Sequence, residues 1–299
     1  MPEAKVHLAL KIKEKKLSEE ISKLTADLSW LEIYRLDSKY PQGYDEMLVP
    51  TLLHKSFPYG YSAANIGIIV LNIQTVLQVY EAVVEGKPLI ERTIALCGPG
   101  FRKNLHVKAR IGTPLWEVIK NYLAAEPKMR LILNSFMTGP ELKDYSLPVD
   151  HAYSKIVAVP ENTAGQFLSF LRPGLHRYSY SNAFLTCRAL KKYPDANLHG
   201  EARPCISCSY CEEVCPVRII PHLLSKMVKK NITDERLMKY GIFNCIGCNL
   251  CTFVCPSKIP LAQDIKEGKE KLMVQGCDQS QCILPYFNLK GLEEYRGIK

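Results

Sequence analysis

Residues 205–216 read CISCSYCEEVCP, and residues 245–256 read CIGCNLCTFVCP. Each stretch is C-x2-C-x2-C-x3-C-P. Three cysteines at two-residue gaps let a turning loop point three thiolates at one face of an iron–sulfur cubane. The fourth is expected to begin a helix, from which the same cubane is harder to reach. In two-cluster ferredoxins this fourth cysteine ligates the other cluster. The spacing therefore predicts two 4Fe–4S clusters. One is held by Cys205, Cys208, Cys211 and Cys255, the other by Cys245, Cys248, Cys251 and Cys215. Pro216 and Pro256 turn the chain away after the last ligand. Zinc also uses paired C-x2-C units, but such a site closes with four ligands from two pairs. A third cysteine two residues on, a fourth after three and then proline, given twice, fits zinc poorly. Two clusters held close form a path for single electrons, where one cluster is only a station.

Around the motifs the pattern is helical. The linker VRIIPHLLSKMVKKNITDERLMKYGIFN predicts helices over 221–230 and 233–240, the second capped by Thr233 and ended at Gly241. A third helix is expected over 260–273. The remaining cysteines have no ligand spacing. Cys97 lies in a strand-like run and Cys187 in a helical one, where a free cysteine packs in a core. Cys277 and Cys282 sit in a polar tail and are assigned no metal. The seven histidines form no pairs at ligand spacing.

With 299 residues the chain is long enough for more than one domain, and its 47% hydrophobic and 23% charged content is ordinary for a globular protein. The most apolar run, residues 66–84, is interrupted by Asn72, Gln74, Thr75 and Gln78. That suits a buried strand followed by a helix rather than a membrane span. The first residues carry no apolar signal-peptide core, so the expected location is the cytoplasm, with docking at the inner face of a membrane left open. Twelve cysteines in such a setting point to metal chemistry rather than disulfides. The net charge of +9 suits an acidic protein partner. The lysines are dispersed and no nucleic-acid motif accompanies them, so no nucleic acid is expected. Lys226, Lys229 and Lys230 after the first motif read as a solvated helix face in preference to a face for an acidic ferredoxin-type partner.

Upstream, strands alternate with helices, which implies an α/β layer with a largely parallel sheet. A helix is expected over 3–26, a strand over 30–36, a YPQG turn at 40–43, a helix over 44–54, a strand over 66–72 and a helix over 73–85. Two strands, 89–98 and 105–112, flank the turn PGFRKN. A helix follows with Thr113 as its N-cap and Pro114 in its first position. A strand at 129–134 completes a small β-grasp module. The segment 135–160 reads as loop, with helices over 162–171 and 179–192.

The runs YPQGYDEMLVPTLL, IGIIVLNIQTVLQVYEAVVEGKPLIERTIALCG and VKARIGTPLWEVI, followed by the double cysteine motif and CPSKIPLAQDIKEGKEKL, resemble the C subunit of the Rnf electron-transport complex over most of 30–273. FLRPGLHRYSYSNAFLT (170–186) is similar to part of the A subunit of the sodium-translocating NADH:quinone reductase. Both families are related to the flavoprotein subunit of complex I. The resemblance implies an α/β and β-grasp (SLBB-like) N-terminal part followed by an α-helical ferredoxin-type domain. Its expected segments are a partial flavoprotein-type domain at 1–88, an SLBB-like module at 89–160, a helical connector at 161–200, the two-cluster domain at 201–276 and a tail at 277–299. It further implies an electron-relay subunit rather than a self-sufficient enzyme. That subunit would stand between a flavin- or NADH-binding partner and a ferredoxin-like partner, within a larger, membrane-associated complex. A soluble flavin-dependent oxidoreductase using the chain as an iron–sulfur adaptor is the alternative. The families' Gly-rich phosphate loop is missing here, because CGPGF (97–101) joins two strands as a hairpin turn. FMN is therefore not expected on this chain alone. The flavin half would come from another chain, have been lost, or lie in a longer protein of which this is a piece. Asn72 and Thr75 match a flavin-side segment of these families. Their residue-level alternative is the start of a helix.

Overall fold

The computed structural model describes residues 4–37, 39–124, 129–160, 202–278 and 282. The expected helices at 162–171 and 179–192, and Cys187, lie outside them. The chain divides into two units, Met1–Val70 with Cys205–Cys251 and Pro260–Lys299, and Leu71–Pro204 with Thr252–Ile259.

The first unit begins with β1 (Val6–Lys11), α1 (Lys15–Leu24) and β2 (Leu31–Leu36). The strands pair in parallel from Val6↔Leu31 to Lys11↔Leu36. The single helix expected over 3–26 is thus a strand, a turn and a shorter helix. VHLALK satisfies its backbone groups on β2, and helix geometry starts only at Lys15. Next comes α2 (Asp45–Leu53), whose Met47 is fully buried. The strand expected over 66–72 does not form. Ala63–Ile66 is a 3-10 turn closed by a Ser62/Asn65 capping box, and Gly67 follows at φ 76°. Ile66, Ile68 and Val70 instead pack on Val49, Phe57 and Ala63. That contact partly buries them without a neighbouring strand.

The helical part contains α5 (Tyr210–Glu213), α6 (Pro221–Lys229), α7 (Glu235–Lys239), a 3-10 turn (Ile242–Asn244) and α9 (Leu261–Val274). The short α8 (Leu250–Val254) lies in the second cysteine motif. The expected helices at 221–230 and 260–273 form nearly as read. The cap of α7 is Asp234 rather than Thr233, since the Asp234 carboxylate accepts from the Arg236 N–H. One core gathers Met47, Cys215, Leu224, Leu237, Ile242 and Ile265. Gly268 lets α9 approach it closely: a Cβ there would stand 2.5 Å from Val228 Cγ2 and 2.8 Å from Ile242 Cδ1.

A buried polar contact also ties α6 to α9. Ser225 donates to the Asp264 carboxylate, and Lys229 Nζ lies 3.1 Å from the same oxygen. Ser225 and Asp264 are 3% and 6% exposed, so neither can turn to water for a partner. The Lys229 side chain is half exposed, and its ion pair adds little. Removing the carboxylate strands the hydroxyl, so Asp264→Ala is expected to cost about 2–3 kcal/mol. The shift of the denaturant midpoint of the loaded protein measures it, and a change below about 0.5 kcal/mol would show that the contact is not formed.

The second unit holds α3 (Ile73–Val84), β3 (Glu91–Cys97), β4 (Leu105–Arg110), α4 (Leu115–Ile119), β5 (Met129–Leu133) and β6 (Lys155–Pro160). The sheet order is β4-β3-β6-β5. Only β3 and β6 run parallel, and the outer pairs are antiparallel. The sheet is therefore mixed rather than largely parallel. Its inner strand β6 lies in the segment read as loop. Gly98, at φ 105°, passes so close to the Ala158 carbonyl of β6 that a Cβ would collide with it. Thr113 is not the cap of α4. Gly112 turns the chain at φ 92°, and the backbone at 112–113 is bonded to Val149 in both directions, so Pro114 takes the N-cap position. Ile94, Leu96, Leu115, Ile119, Leu131 and Ile156 form this unit's core. By contrast α3 buries none of its residues, with Ile73 75% and Val83 79% exposed.

Candidate iron–sulfur site

The two cysteine motifs repeat in backbone as well as in sequence. Ser207 and Gly247, Ser209 and Asn249, and Arg218 and Lys258 occupy matching positions, and all have positive φ between 53° and 68°. A left-handed residue between the first and second cysteine, and another after the second, curls each loop. In both loops the amide two residues on donates to the first cysteine's sulfur, Ser207 N to Cys205 and Gly247 N to Cys245, each at 3.4 Å. The third cysteine of each motif lies in a short helix, Cys211 in α5 and Cys251 in α8. The fourth follows that helix instead of beginning one, which corrects the reading of the sequence. A turn then closes at Arg218 N to the Cys215 carbonyl, 3.3 Å, and at Lys258 N to the Cys255 carbonyl, 3.2 Å. Near the second of these turns Ser257 Oγ donates to the Pro204 carbonyl at 2.9 Å.

Within the first unit the thiols of Cys215, Cys245 and Cys248 lie within electrostatic reach of one another. Burial pushes the Cys215 thiol up to about 11. The N–H groups of Val217, Ile219 and Arg218 point at its sulfur and oppose that rise, while the Cys245 charge adds to it. Cys248 is pushed up to about 12, again chiefly by burial, opposed by the Leu250 N–H and raised further by Cys245 and Cys215. Burial with several N–H donors on sulfur suits a thiolate whose charge is shared with a metal. Among the described residues no group of three or more His, Cys, Asp or Glu side chains is placed to hold a metal ion. A cubane takes each thiolate on a different iron at a separate corner, so its ligands need not converge on one point. The donor set and the sulfur-directed amides thus fit iron–sulfur clusters.

The two motifs have different surroundings. Cys205 is exposed and Cys208 half-buried, whereas Cys245 is half-buried and Cys248 buried. His222 Nδ1 lies 3.7 Å from Cys211 Sγ and 3.0 Å from a Glu212 oxygen. Around the second motif, Tyr40 donates to the Cys248 carbonyl at 2.7 Å, and Lys269 donates to the Cys245 carbonyl at 2.5 Å. Lys269 Nζ also sits 3.9 Å from the centre of the Tyr59 ring. Burial pushes the Lys269 amine below its ordinary value, opposed by the charges of Cys245 and Glu46. Tyr40 and Tyr59 keep no fixed spacing to the cysteines, and nothing in the sequence marks Lys269 as buried. Cys277 and Cys282 pack against the first unit's core, as does Cys245. Cys97 is half-buried on β3. Asn72 caps α3, its side-chain oxygen accepting from Thr75 N at 2.9 Å and from Thr75 Oγ1 at 3.1 Å.

A doubled cysteine loop of this build defines an iron–sulfur protein of the ferredoxin type, and residues 204–259 match the 4Fe-4S dicluster domain family. Over most of its length the chain is similar to proteins named as the C subunit of the ion-translocating oxidoreductase complex. The relative from Buchnera aphidicola is 30% identical over 254 residues, covering 85% of this chain and 44% of that protein. The one from Pseudomonas aeruginosa is 32% identical over 251 residues, 81% of this chain and 28% of its own. The chain spans less than half the length of these homologues. No helix among the described residues is long and apolar enough to cross a membrane.

Proposed function

We propose that the chain relays single electrons through two 4Fe–4S clusters, as an iron–sulfur electron-transfer part of an ion-translocating oxidoreductase complex. The observation that carries this reading is the doubled loop, with matched left-handed residues and a sulfur-directed amide in each half. Cys205, Cys208 and Cys211 hold one cluster with Cys255. Cys245, Cys248 and Cys251 hold the other with Cys215. The mutual electrostatic reach of Cys215, Cys245 and Cys248 supports the second set. The protein's contribution is to bind, bury and orient these groups, while the clusters supply one-electron chemistry. The order β4-β3-β6-β5, two antiparallel pairs with inner strands parallel, supports reading 89–160 as a β-grasp module of the SLBB type. The similarity to the C subunits of such complexes favours a flavin- or NADH-side partner and a ferredoxin-like partner. FMN belongs with the former. Asn72 and Thr75 are then the residues nearest a flavin carried by that partner, in addition to capping α3.

Anaerobic purification with native mass spectrometry tests the reading. About eight iron per chain is expected, from two cubanes, with a broad visible absorption that dithionite bleaches. NADH should not bleach it unless the flavin-side partner is added. Stoichiometric zinc without that absorption would overturn the cluster assignment. Tight FMN on the isolated chain would overturn the division of labour.

A further inference from the structure

Two matching lysines stand on the helices that follow the two motifs, Lys229 at the end of α6 and Lys269 in α9. Their settings are opposite. The Lys229 side chain is half exposed and its charge is met by Asp264. Lys269 is 5% exposed and is aimed at the second motif, where it donates to the Cys245 carbonyl. The face of Tyr59 lies against its ammonium. Among the described residues the carboxylate that acts on it is Glu46, whose own proton is held more tightly because it is buried. The charges near the ligands differ in the same sense. The first motif carries Glu212 and Glu213 where the second has Thr252 and Phe253.

We propose that Lys269 is a tuning residue that makes the cluster of Cys245, Cys248 and Cys251 the more easily reduced of the two. Accepting one electron adds one negative charge beside Cys245. The Lys269 ammonium, hydrogen-bonded to the Cys245 carbonyl, stabilises that state more than the oxidised one. The interaction is strong because the ammonium is out of water, where charges are less screened. The first motif has acidic side chains in the matching places, which oppose reduction. The pair is thereby given a downhill direction, with the electron resting on the second cluster.

The inference depends on the two-cluster reading above, and the two can fail separately. If that reading is wrong, the unmutated protein lacks iron or a two-cluster spin count. If only this inference is wrong, both clusters are present and their potentials ignore position 269. The experiment is an anaerobic potentiometric titration followed by paramagnetic resonance on the full chain, on Lys269→Met and on Lys269→Arg. Signals are assigned with Cys205→Ala and Cys245→Ala. In Lys269→Met the reduction equilibrium of the second cluster should fall at least about tenfold, 59 mV for one electron, while the first stays in place. Lys269→Arg, which keeps the charge, should return most of that shift. Equal movement of both clusters, no movement, or the same loss in the Arg and Met variants would overturn the proposal. If Lys269→Met does not hold its iron, Lys269→Gln is titrated in its place, since it keeps a donor for the carbonyl without the charge. Loss of iron there too would make Lys269 a structural hydrogen-bond donor, and the proposal would fall.

Discussion

Cys215→Ala should remove the second motif's cluster and spare the first. Iron content should drop by about half, from about eight to about four per chain, on the two-cubane stoichiometry. The resonance that disappears should be the one that Cys245→Ala removes, and the one that Cys205→Ala removes should stay. The expectation rests on position. Cys215 ends the first motif, yet its thiol feels the charge of Cys245 and helps to raise Cys248. It is 6% exposed and sits in the core with Leu224, Leu237 and Ile242, against which Cys245 and Ile246 also pack. The chain reaches this place because α5 ends at Glu213, and the turn after Cys215 brings three amides onto its sulfur. Should Cys215→Ala and Cys205→Ala damage the same signal, each motif closes its own cluster.

The effect should exceed that of an ordinary core truncation. A buried thiol replaced by methyl loses little apolar volume, and the packing cost alone would be at the low end of core substitutions. A lost ligand opens a cluster to solvent and oxidation, and the loss is read as iron rather than as a shifted midpoint.

How much of the fold is legible in the sequence follows from how far apart the interacting residues lie. The cysteine loops are legible because every determinant sits within a dozen positions. The spacing, the small or polar residues at 207, 209, 247 and 249, and the closing prolines are all local. The helices after the motifs are legible for the same reason, with apolar residues at helical intervals. β6 is not, because KIVAVP is a short run after a stretch of turns and only its pairing with β3 and β5 makes it a strand. The run at 66–72 errs the other way. It has strand composition but finds no strand to pair with, and Gly67 sets the chain to a left-handed turn at its start. VHLALK reads as helix because the charged residues after it are helical, and its parallel partner lies beyond that helix. The surroundings of the second motif are the least visible. Tyr40 reaches Cys248 from the far end of the chain, and Lys269 looks like any lysine of a charged helix until its burial is known.

Stripping the iron should unfold the cysteine-bearing segment while the four-stranded sheet survives. The helices that carry motif cysteines are too short to stand alone, α5 having 4 residues and α8 5, and α7 between the motifs has only 5. An isolated helix is marginal in water below about 12 residues. These helices are therefore held by packing and by their ligands. Structural zinc contributes on the order of 10–16 kcal/mol to the folding of zinc-finger peptides, which sets the scale for a metal held by cysteines in a small domain. A whole domain is stable by only about 5–15 kcal/mol, so the ligand bonds are comparable to everything else that holds the segment. Opposing this, the core of Met47, Leu224, Leu237, Ile242 and Ile265 is well buried and contains the α6–α9 contact at Gly268. It also includes Cys215, and Cys245 packs on it, so losing the metal loosens the core at its centre. The sheet's core of Ile94, Leu96, Leu131 and Ile156 contains none of the eight cysteines of the two motifs. Hydrogen exchange before and after anaerobic chelation separates the two. Amides of 205–274 should lose protection by two orders of magnitude or more, about 2.8 kcal/mol of local stability. Amides of β3, β5 and β6 should change by less than about threefold. Retained protection throughout 205–274 would mean that packing alone holds the cysteine loops, and that their geometry is set before any metal arrives.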